Sequence, residues 1–486
     1  MPQSPADEGL RALEHEVRRD LARLNYPNAT WTLPRSSPTG APMLDVLVAG
    51  GGMCGQTIVF GLLREGVHSI RAIDRNPIGL EGPWTTTARM ETLRSPKTLT
   101  GPDLGIPSLT FRAWYEAQHG GHGWDALYKI DRRHWRDYLL WLRRTLALPI
   151  ENATTLVAID PVANGLRATL HGPSSKETVF ARKIVLALGR DGSGAPQWPR
   201  FATWRPELRG RESRIFHASD ALVPARLANA RVGVLGAGAS AFDNAATALE
   251  HGARGVVQFV RRAHLPQINK SKWASFPGFQ RGFIGLEDEH RWALLNFIFD
   301  AQVPPPFESV NRCDRHPNFA IRFNAPWLDL AESSAGVIVT TAAGTERFDT
   351  VIVATGFDVD LAARAELRAV EPAITTWRDR VTAAEADAHP ASARYPYLGA
   401  GFELIGRDTD SAATLANIHL FNWGSTMSHG ALAGDIPGIE IGVRRLVDAI
   451  VRDLFVADAD RYATALQSFS EPDLTATRYY VPPQRS

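Results

Sequence analysis

The chain has 486 residues, 44% apolar and 22% charged, with a formal net charge of +1. That length allows two or three domains and a large core. Near-neutrality gives no electrostatic reason to expect nucleic acid as a partner, and no apolar run approaches the roughly 20 residues of a membrane span.

The two cysteines, Cys54 and Cys313, are too few for a disulfide framework and fit a reducing compartment. The opening MPQSPADEGL lacks a basic-then-apolar leader, so a cytoplasmic protein is expected. In residues 1–42, Leu10, Leu13, Val17, Leu21 and Leu24 recur at helical spacing, which predicts a helix docked on the main body. Residues 34–42 read as a polar linker.

The next stretch, LDVLVAGGGMCGQTIVFGLLREGVHSIRAID at 44–74, is a strand, a glycine turn, a helix over 56–65 and a second strand over 69–73. Gly50 permits the tight turn, Gly52 lets the backbone approach a pyrophosphate, and Gly55 lets the helix pack close to the strand. The helix N-terminus offers free N–H groups to phosphates. Asp74, with Arg75 after it, follows at about the 20-residue offset of a ribose-binding carboxylate. This is a dinucleotide site.

Residues 78–111 are rich in Gly, Pro and Thr, a long irregular loop of the kind that usually carries function. Trp84, Arg89, Met90, Arg94 and Lys97 stand out in it. They read as a wall over a flavin or as an aromatic and basic surface. His119 and His122 lie in what reads as a glycine-rich loop with no third ligand. An amphipathic helix is predicted over 134–146, and a buried strand over 182–188 that ends at Gly189.

The first unit is echoed further on. Residues 232–235 are a short strand, and Gly236, Gly238 and Ala241 form a second turn. A helix over 240–251 and a strand over 256–260 follow. That strand runs into Arg261 and Arg262 where the first unit has an acid, which suits a 2′-phosphate and hence NADPH. Residues 264–327 crowd Trp, Phe, Asn and Pro. They read as an insertion that roofs the active site or as an interdomain or dimer interface. Residues 337–341 and 348–353 resemble paired strands leading into Thr355 and Gly356. The run 349–357 matches the texture of 182–189, as if the two carry the chain out of and back into the first domain. In HLFNWGSTMSHGALAGDIPGIEI, residues 419–441, a glycine-rich turn with Asn422, Ser425, Ser428, His429 and Asp435 feeds an amphipathic helix, a natural place to meet a flavin.

The expected fold is α/β: two Rossmann-like dinucleotide-binding domains, the second inserted in the first. Residues 1–42 are a helix and linker, and 43–225 the first part of the first domain. Residues 226–345 are the second domain with its helical insertion at 264–327, and 346–486 complete the first domain.

Two such glycine units, with Ala354-Thr355-Gly356-Phe357 ending a strand after the second, resemble the class B flavin-dependent monooxygenases: the flavin-containing monooxygenases, the Baeyer–Villiger enzymes and the amine N-hydroxylases of siderophore synthesis. The resemblance implies FAD on Gly50, Gly52, Gly55 and Asp74, and NADPH on Gly236, Gly238, Ala241 and Arg261. Arg75, Trp84, Arg262, Thr355, Gly356 and Asp435 join the cofactor candidates. Baeyer–Villiger enzymes carry Phe-x-Gly-x-x-x-His before the second unit. Here His217 lies three residues too far from Gly210, and His217-Ala-Ser219 is closer to the His-Ser-Ser of the N-hydroxylases. The stretch ending in Asn269 resembles the one where those enzymes hold NADPH and the substrate amine, and Ser428-His429-Gly430 resembles their C-terminal His-Gly. The candidate active-site set is Asn269, His429, Ser428 and Lys97, with Trp84 on the rim.

The implied reaction is oxygenation of a small molecule by O₂ activated at the flavin C4a. The favoured outcome is N-hydroxylation of a small nitrogen compound, and the alternative is Baeyer–Villiger, sulfide or heteroaromatic (purine-type) oxygenation. Such chemistry belongs to the cofactor and needs no protein nucleophile. A disulfide reductase would need a Cys pair beside the flavin, and Cys54 has no partner at short spacing. A flavin-binding sensor would keep the first unit and lose the second.

Overall fold

A computed structural model describes residues 5–482 apart from Thr100 and Arg211. The run at 44–49 lies in the strand Pro42–Ala49, which is central because both its faces are apolar. Among the described residues, its eight-stranded sheet runs Ile150–Glu151, Ile70–Ile73, Pro42–Ala49, Lys176–Leu186, Gly165–His171, Thr155–Val162. The 11-residue strand Lys176–Leu186 serves two neighbours on one edge. Its half-exposed first part pairs with Gly165–His171, and its buried end pairs in parallel with Ile418–Leu420. That pairing returns the C-terminal part of the chain to the first sheet. The helix Met53–Arg64 packs under the long helix Ile439–Val456, with a Cβ at Gly61 only 3.0 Å from Val447. The N-terminal helix Pro5–Arg23 buries Leu13, Val17 and Leu21 in the same core. In the linker that follows, Arg35–Ser36 pairs antiparallel with the start of Pro42–Ala49.

The second sheet is all parallel and runs Phe319–Arg322, Gly255–Phe259, Arg231–Leu235, Thr350–Val353, Ile215–His217. This moves the boundaries read from the sequence. Ile215–His217 and Thr350–Val353 both belong to the second sheet, so neither 225/226 nor 345/346 divides the domains. The chain crosses between domains at Gly194–Pro196 and Phe357–Val359, which pair antiparallel. Residues 350–353 match 182–186 in texture because each strand lies beside the first strand of its own unit, Arg231–Leu235 and Pro42–Ala49. Each is therefore buried on both faces. The paired strands before it form a separate three-stranded meander, Asp329–Ser333, Gly336–Thr341 and Gly344–Phe348.

The insertion ends before 319, since Phe319–Arg322 is an edge strand of the second sheet. Its helices Pro277–Gly282 and Asp288–Ala301 lean on the first domain, and Lys270–Trp273 packs on Asp288–Ala301. Buried Arg291 donates to the Ser428 carbonyl at 3.2 Å and to the Tyr397 hydroxyl at 2.9 Å, and Trp292 stacks on Trp377 at 5.9 Å. The next helix, Phe307–Asp314, packs on the second domain, where Arg312 forks onto Glu250 at 2.8 and 2.9 Å. His119 and His122 lie in the helix Phe111–Ala126, kinked at Gly120 (φ 68°), rather than in a loop.

Candidate active site

The first glycine turn is built by close approach. Gly50 takes φ 106°, and a Cβ there would lie 2.3 Å from the Ala187 carbonyl oxygen. A Cβ at Gly55 would lie 1.7 Å from the Gly50 oxygen. Gly52 differs: its φ is −71°, and no atom lies nearer than 3.7 Å to its Cβ position. Gly52 is also the N-cap of Met53–Arg64 and leaves the first N–H groups without a side-chain acceptor. An open backbone beside unfilled helix donors fits a pyrophosphate. The second turn repeats the pattern. Gly236 takes φ 139° with a Cβ 2.5 Å from the Ala354 oxygen, Gly238 faces open space, and Ala241 is buried beneath. The helix Ala239–Glu250 again starts without a side-chain cap.

Asp74 is buried at the end of Ile70–Ile73. Its oxygens accept from the Gly51 and Asn76 N–H groups, each at 2.8 Å, and each keeps a lone pair for a ribose hydroxyl. Burial raises its pKa against those two bonds, which lower it. Arg75 pairs with Asp191. Gly82 lies against Gly52, and the Trp84 indole N–H beside it is buried without a partner, edge-on to Trp135. Arg261 is exposed and Arg262 half-buried just past Gly255–Phe259.

Several sequence candidates do other work. Thr355 and Gly356 hold the interdomain crossing. The Thr355 hydroxyl donates to the Gln197 carbonyl, and the Gly356 carbonyl accepts from Gln197 N–H at 2.9 Å and faces His217 Nε2 at 3.0 Å. Lys97 Nζ donates to the Trp124 and Asp125 carbonyls at 2.6 and 3.2 Å, at the C-terminal end of Phe111–Ala126. Ser428 is fully buried and accepts from Trp377 Nε1 and Leu398 N–H. His429 is fully buried, stacked 3.7 Å over Phe402, with Arg445 donating to Nδ1 and Nε2 facing the Gly399 carbonyl. In this structure the polar atoms of these three, unlike the exposed Arg261, are engaged in packing contacts. Asn269 caps Lys270–Trp273 by accepting from Lys272 N–H at 2.9 Å.

The cleft between the domains brings together Arg94 and Asp435, both singled out in the sequence, with Asp243 and Arg190, which sequence reasoning passed over. Arg94 and Asp435 are surrounded by protein yet keep solvent access, as cleft-wall side chains do. Arg94 faces buried Asp243 of the second domain at 3.6 Å. Asp243 also accepts from Ser309 Oγ at 2.6 Å. Burial pushes the Asp435 carboxyl up while Arg190 and Arg94 pull it down. Arg190 lies 4.0 Å over the Trp423 ring. It follows the glycine at the carboxyl end of a parallel strand, the place where α/β sheets bind ligands, and that was the signal available in the sequence. Burial pushes the Cys54 and Cys313 thiols up to about 12, so both stay protonated.

Relatives add to this geometry. Residues 47–191 match the FAD-NAD(P)-binding family, and 125–297 match the L-lysine 6-monooxygenase/L-ornithine 5-monooxygenase family. The FAD-dependent urate hydroxylase of Xanthomonas campestris pv. campestris is 41% identical over 464 residues, 96% of this chain and 97% of that one. The chain belongs to the flavin-dependent monooxygenases. The fold agrees. The ornithine hydroxylase of Pseudomonas aeruginosa superposes with a TM-score of 0.68 at 15% identity, covering 85% of this chain and 100% of that one. The L-lysine 6-monooxygenase of Pseudomonas syringae does so at 0.63 and 17%, covering 84% and 99%. The monooxygenase is thus an oxidoreductase whose cofactors are FAD and NAD(P)H. No helix among its described residues is long and apolar enough to cross a membrane.

The buried histidines of this monooxygenase set an acid limit on its stability. His419 has its pKa pushed down to about 3, His429 well below the usual value, and His217 is also lowered, in each case chiefly by burial. The unfolded chain then binds more protons, so their contribution is complete above about pH 6.5 and is lost as pH falls. Each costs about 1.4 kcal/mol per pH unit until its folded pKa is reached. Denaturant titrations from pH 7 to pH 5 are expected to show this slope, and His419→Gln is expected to make it shallower.

Proposed function

We propose that this monooxygenase hydroxylates a planar purine-type heteroaromatic, urate being the first compound to try, with NADPH as electron donor. The observation that carries the reading is the 41% identity to a urate hydroxylase along 96% of the chain. Bound FAD would carry two electrons from NADPH to O₂, so one oxygen atom enters the substrate and the other leaves as water. The chain's own part is to hold the cofactors and keep water from the reacting atoms. The turns at Gly50, Gly52, Gly55 and Asp74 would hold FAD, with Asp435 beside Cys54 on the cleft side. The turn at Gly236, Gly238 and Ala241 would hold NADPH, with Arg261 and Arg262 on its 2′-phosphate.

The test supplies purified, FAD-loaded protein with NADPH, O₂ and urate. One urate is expected to disappear per NADPH and per O₂. NADPH consumption matched by hydrogen peroxide, with urate intact, would overturn the reading. The second reading is N-hydroxylation of a small amine, supported by the lysine/ornithine monooxygenase match over 125–297; L-ornithine and cadaverine in the same assay separate the two.

The cofactor choice has its own test. Removing one charge-assisted phosphate contact costs about 1.5–3 kcal/mol. Arg261→Gln with Arg262→Gln is expected to raise the NADPH KM roughly 10–100-fold while leaving the NADH KM nearly unchanged.

A further inference from the structure

Arg190 carries a charge that Asp435 feels but that no protein group among the described residues meets with a hydrogen bond or ion pair. It is exposed within the cleft, and among the described residues its guanidinium donates no hydrogen bond and makes no ion pair. Its neighbours do not neutralise it. Arg94 is a second cation nearby, and Asp435, the acid that feels both, lies on the cofactor side beside Cys54. Arg94 already faces Asp243. What holds Arg190 in place is the indole of Trp423, 4.0 Å beneath it.

The platform is built rather than incidental. Trp423 stands in a short helical turn capped by Asn422, itself fully buried and donating to the Gly192 carbonyl at 3.2 Å. Phe299, brought in by the insertion helix Asp288–Ala301, lies 6.5 Å from Trp423 and stacks on Tyr395 at 6.0 Å. Two segments of the first domain and the insertion therefore converge on one arginine whose donors are free. A guanidinium presents a planar fork matched to two parallel acceptors, and an arginine lying flat on an indole gives up little freedom when it binds. Aromatic walls favour a flat ligand. A cationic amine would meet like charge from Arg190 and Arg94.

We propose that Arg190, held on Trp423, is the anchor for the anionic edge of a planar heteroaromatic substrate. The proposal rests on the purine-type reading above and assigns its binding residue. It also gives the insertion a part in specificity through Phe299.

The experiment uses the FAD-loaded full chain, Arg190→Gln and Arg190→Lys. It has two arms: steady-state kinetics with urate, and equilibrium binding of 8-azaxanthine, an unreactive planar anion, followed by tryptophan fluorescence. The expected result for Arg190→Gln is a urate KM and an 8-azaxanthine Kd raised on the order of 10–100-fold, with the larger change in KM than in kcat. Arg190→Lys should recover only part, because an ammonium keeps the charge and loses the fork. An unchanged KM and Kd would overturn the proposal. So would loss of bound FAD or a raised NADPH KM in Arg190→Gln, either of which makes Arg190 a cofactor anchor. If the wild-type chain does not consume urate but binds 8-azaxanthine through Arg190, the urate reading fails and the anchor stands. If it binds no planar anion, the anchor fails as well.

Discussion

Gly52→Ala is expected to strip the protein of FAD while leaving it folded, with the melting temperature of the wild-type apoprotein. Alanine is compatible with the φ of −71° at this position, and nothing lies within 3.7 Å of the added carbon. The protein alone therefore has no steric reason to reject the substitution. A methyl group beside the uncapped N-terminus of Met53–Arg64 occupies the space through which a pyrophosphate would reach the backbone. Flavin absorbance after gel filtration should fall below about a tenth of wild type, for a loss of roughly 100-fold or more in affinity, which is some 3 kcal/mol. Gly55→Ala is the contrast. Its Cβ would lie 1.7 Å from the Gly50 oxygen, so the turn itself must open. This variant is expected to lose FAD and also about 1–3 kcal/mol of stability. If Gly52→Ala keeps its flavin, the pyrophosphate does not pass over this turn.

Arg182→Met is expected to be the most destabilising single replacement away from the glycine turns. Arg182 is buried where the first sheet meets the end of the helix Ile439–Val456. It donates to Asp45 at 3.1 Å and to the Leu454 carbonyl at 3.0 Å, and lies 2.8 Å from Asp458. The Asp458 side chain is fully buried and also pairs with Arg35, from the strand Arg35–Ser36, and with Arg461. Four separate stretches of chain are tied through this network. Methionine fills the volume but leaves two buried carboxylates short of a partner, which costs about 3–5 kcal/mol. Urea unfolding should show that loss as a lower midpoint with an unchanged slope. Arg182→Lys should lose less, since it keeps the charge and gives up part of the fork. A loss below about 1 kcal/mol for methionine would mean that Arg35 and Arg461 suffice.

Both glycine turns were legible in the sequence. Gly50, Gly55 and Gly236 are required by backbone contacts within a few residues or by an adjacent parallel strand. Such constraints are local, and they leave a fixed spacing in the chain. The apolar runs read at 44–49, 182–188, 232–235 and 348–353 were legible for the same reason, since a stretch of strand buried on both faces must be largely apolar. The sheet to which each strand belongs was not. An apolar strand carries no label for its partner, and only the pairing of Thr350–Val353 with Arg231–Leu235 places it in the second domain and moves the crossing to Phe357–Val359.

The same limit governs the site. Lys97, Ser428 and His429 are residue types that chemistry uses, and the sequence marks the type without the surroundings. Whether a histidine titrates or stacks depends on Phe402, Arg445 and Gly399, which the chain supplies from both sides of it. Arg190 and Trp423 are 233 positions apart in the numbering and meet only because Ile418–Leu420 returns to the edge of Lys176–Leu186. The sequence by itself determined two dinucleotide units and hence the class of chemistry, because those contacts are short-range. The tertiary structure alone decided which side chains face the cleft, because that depends on how distant strands pair and which faces they bury.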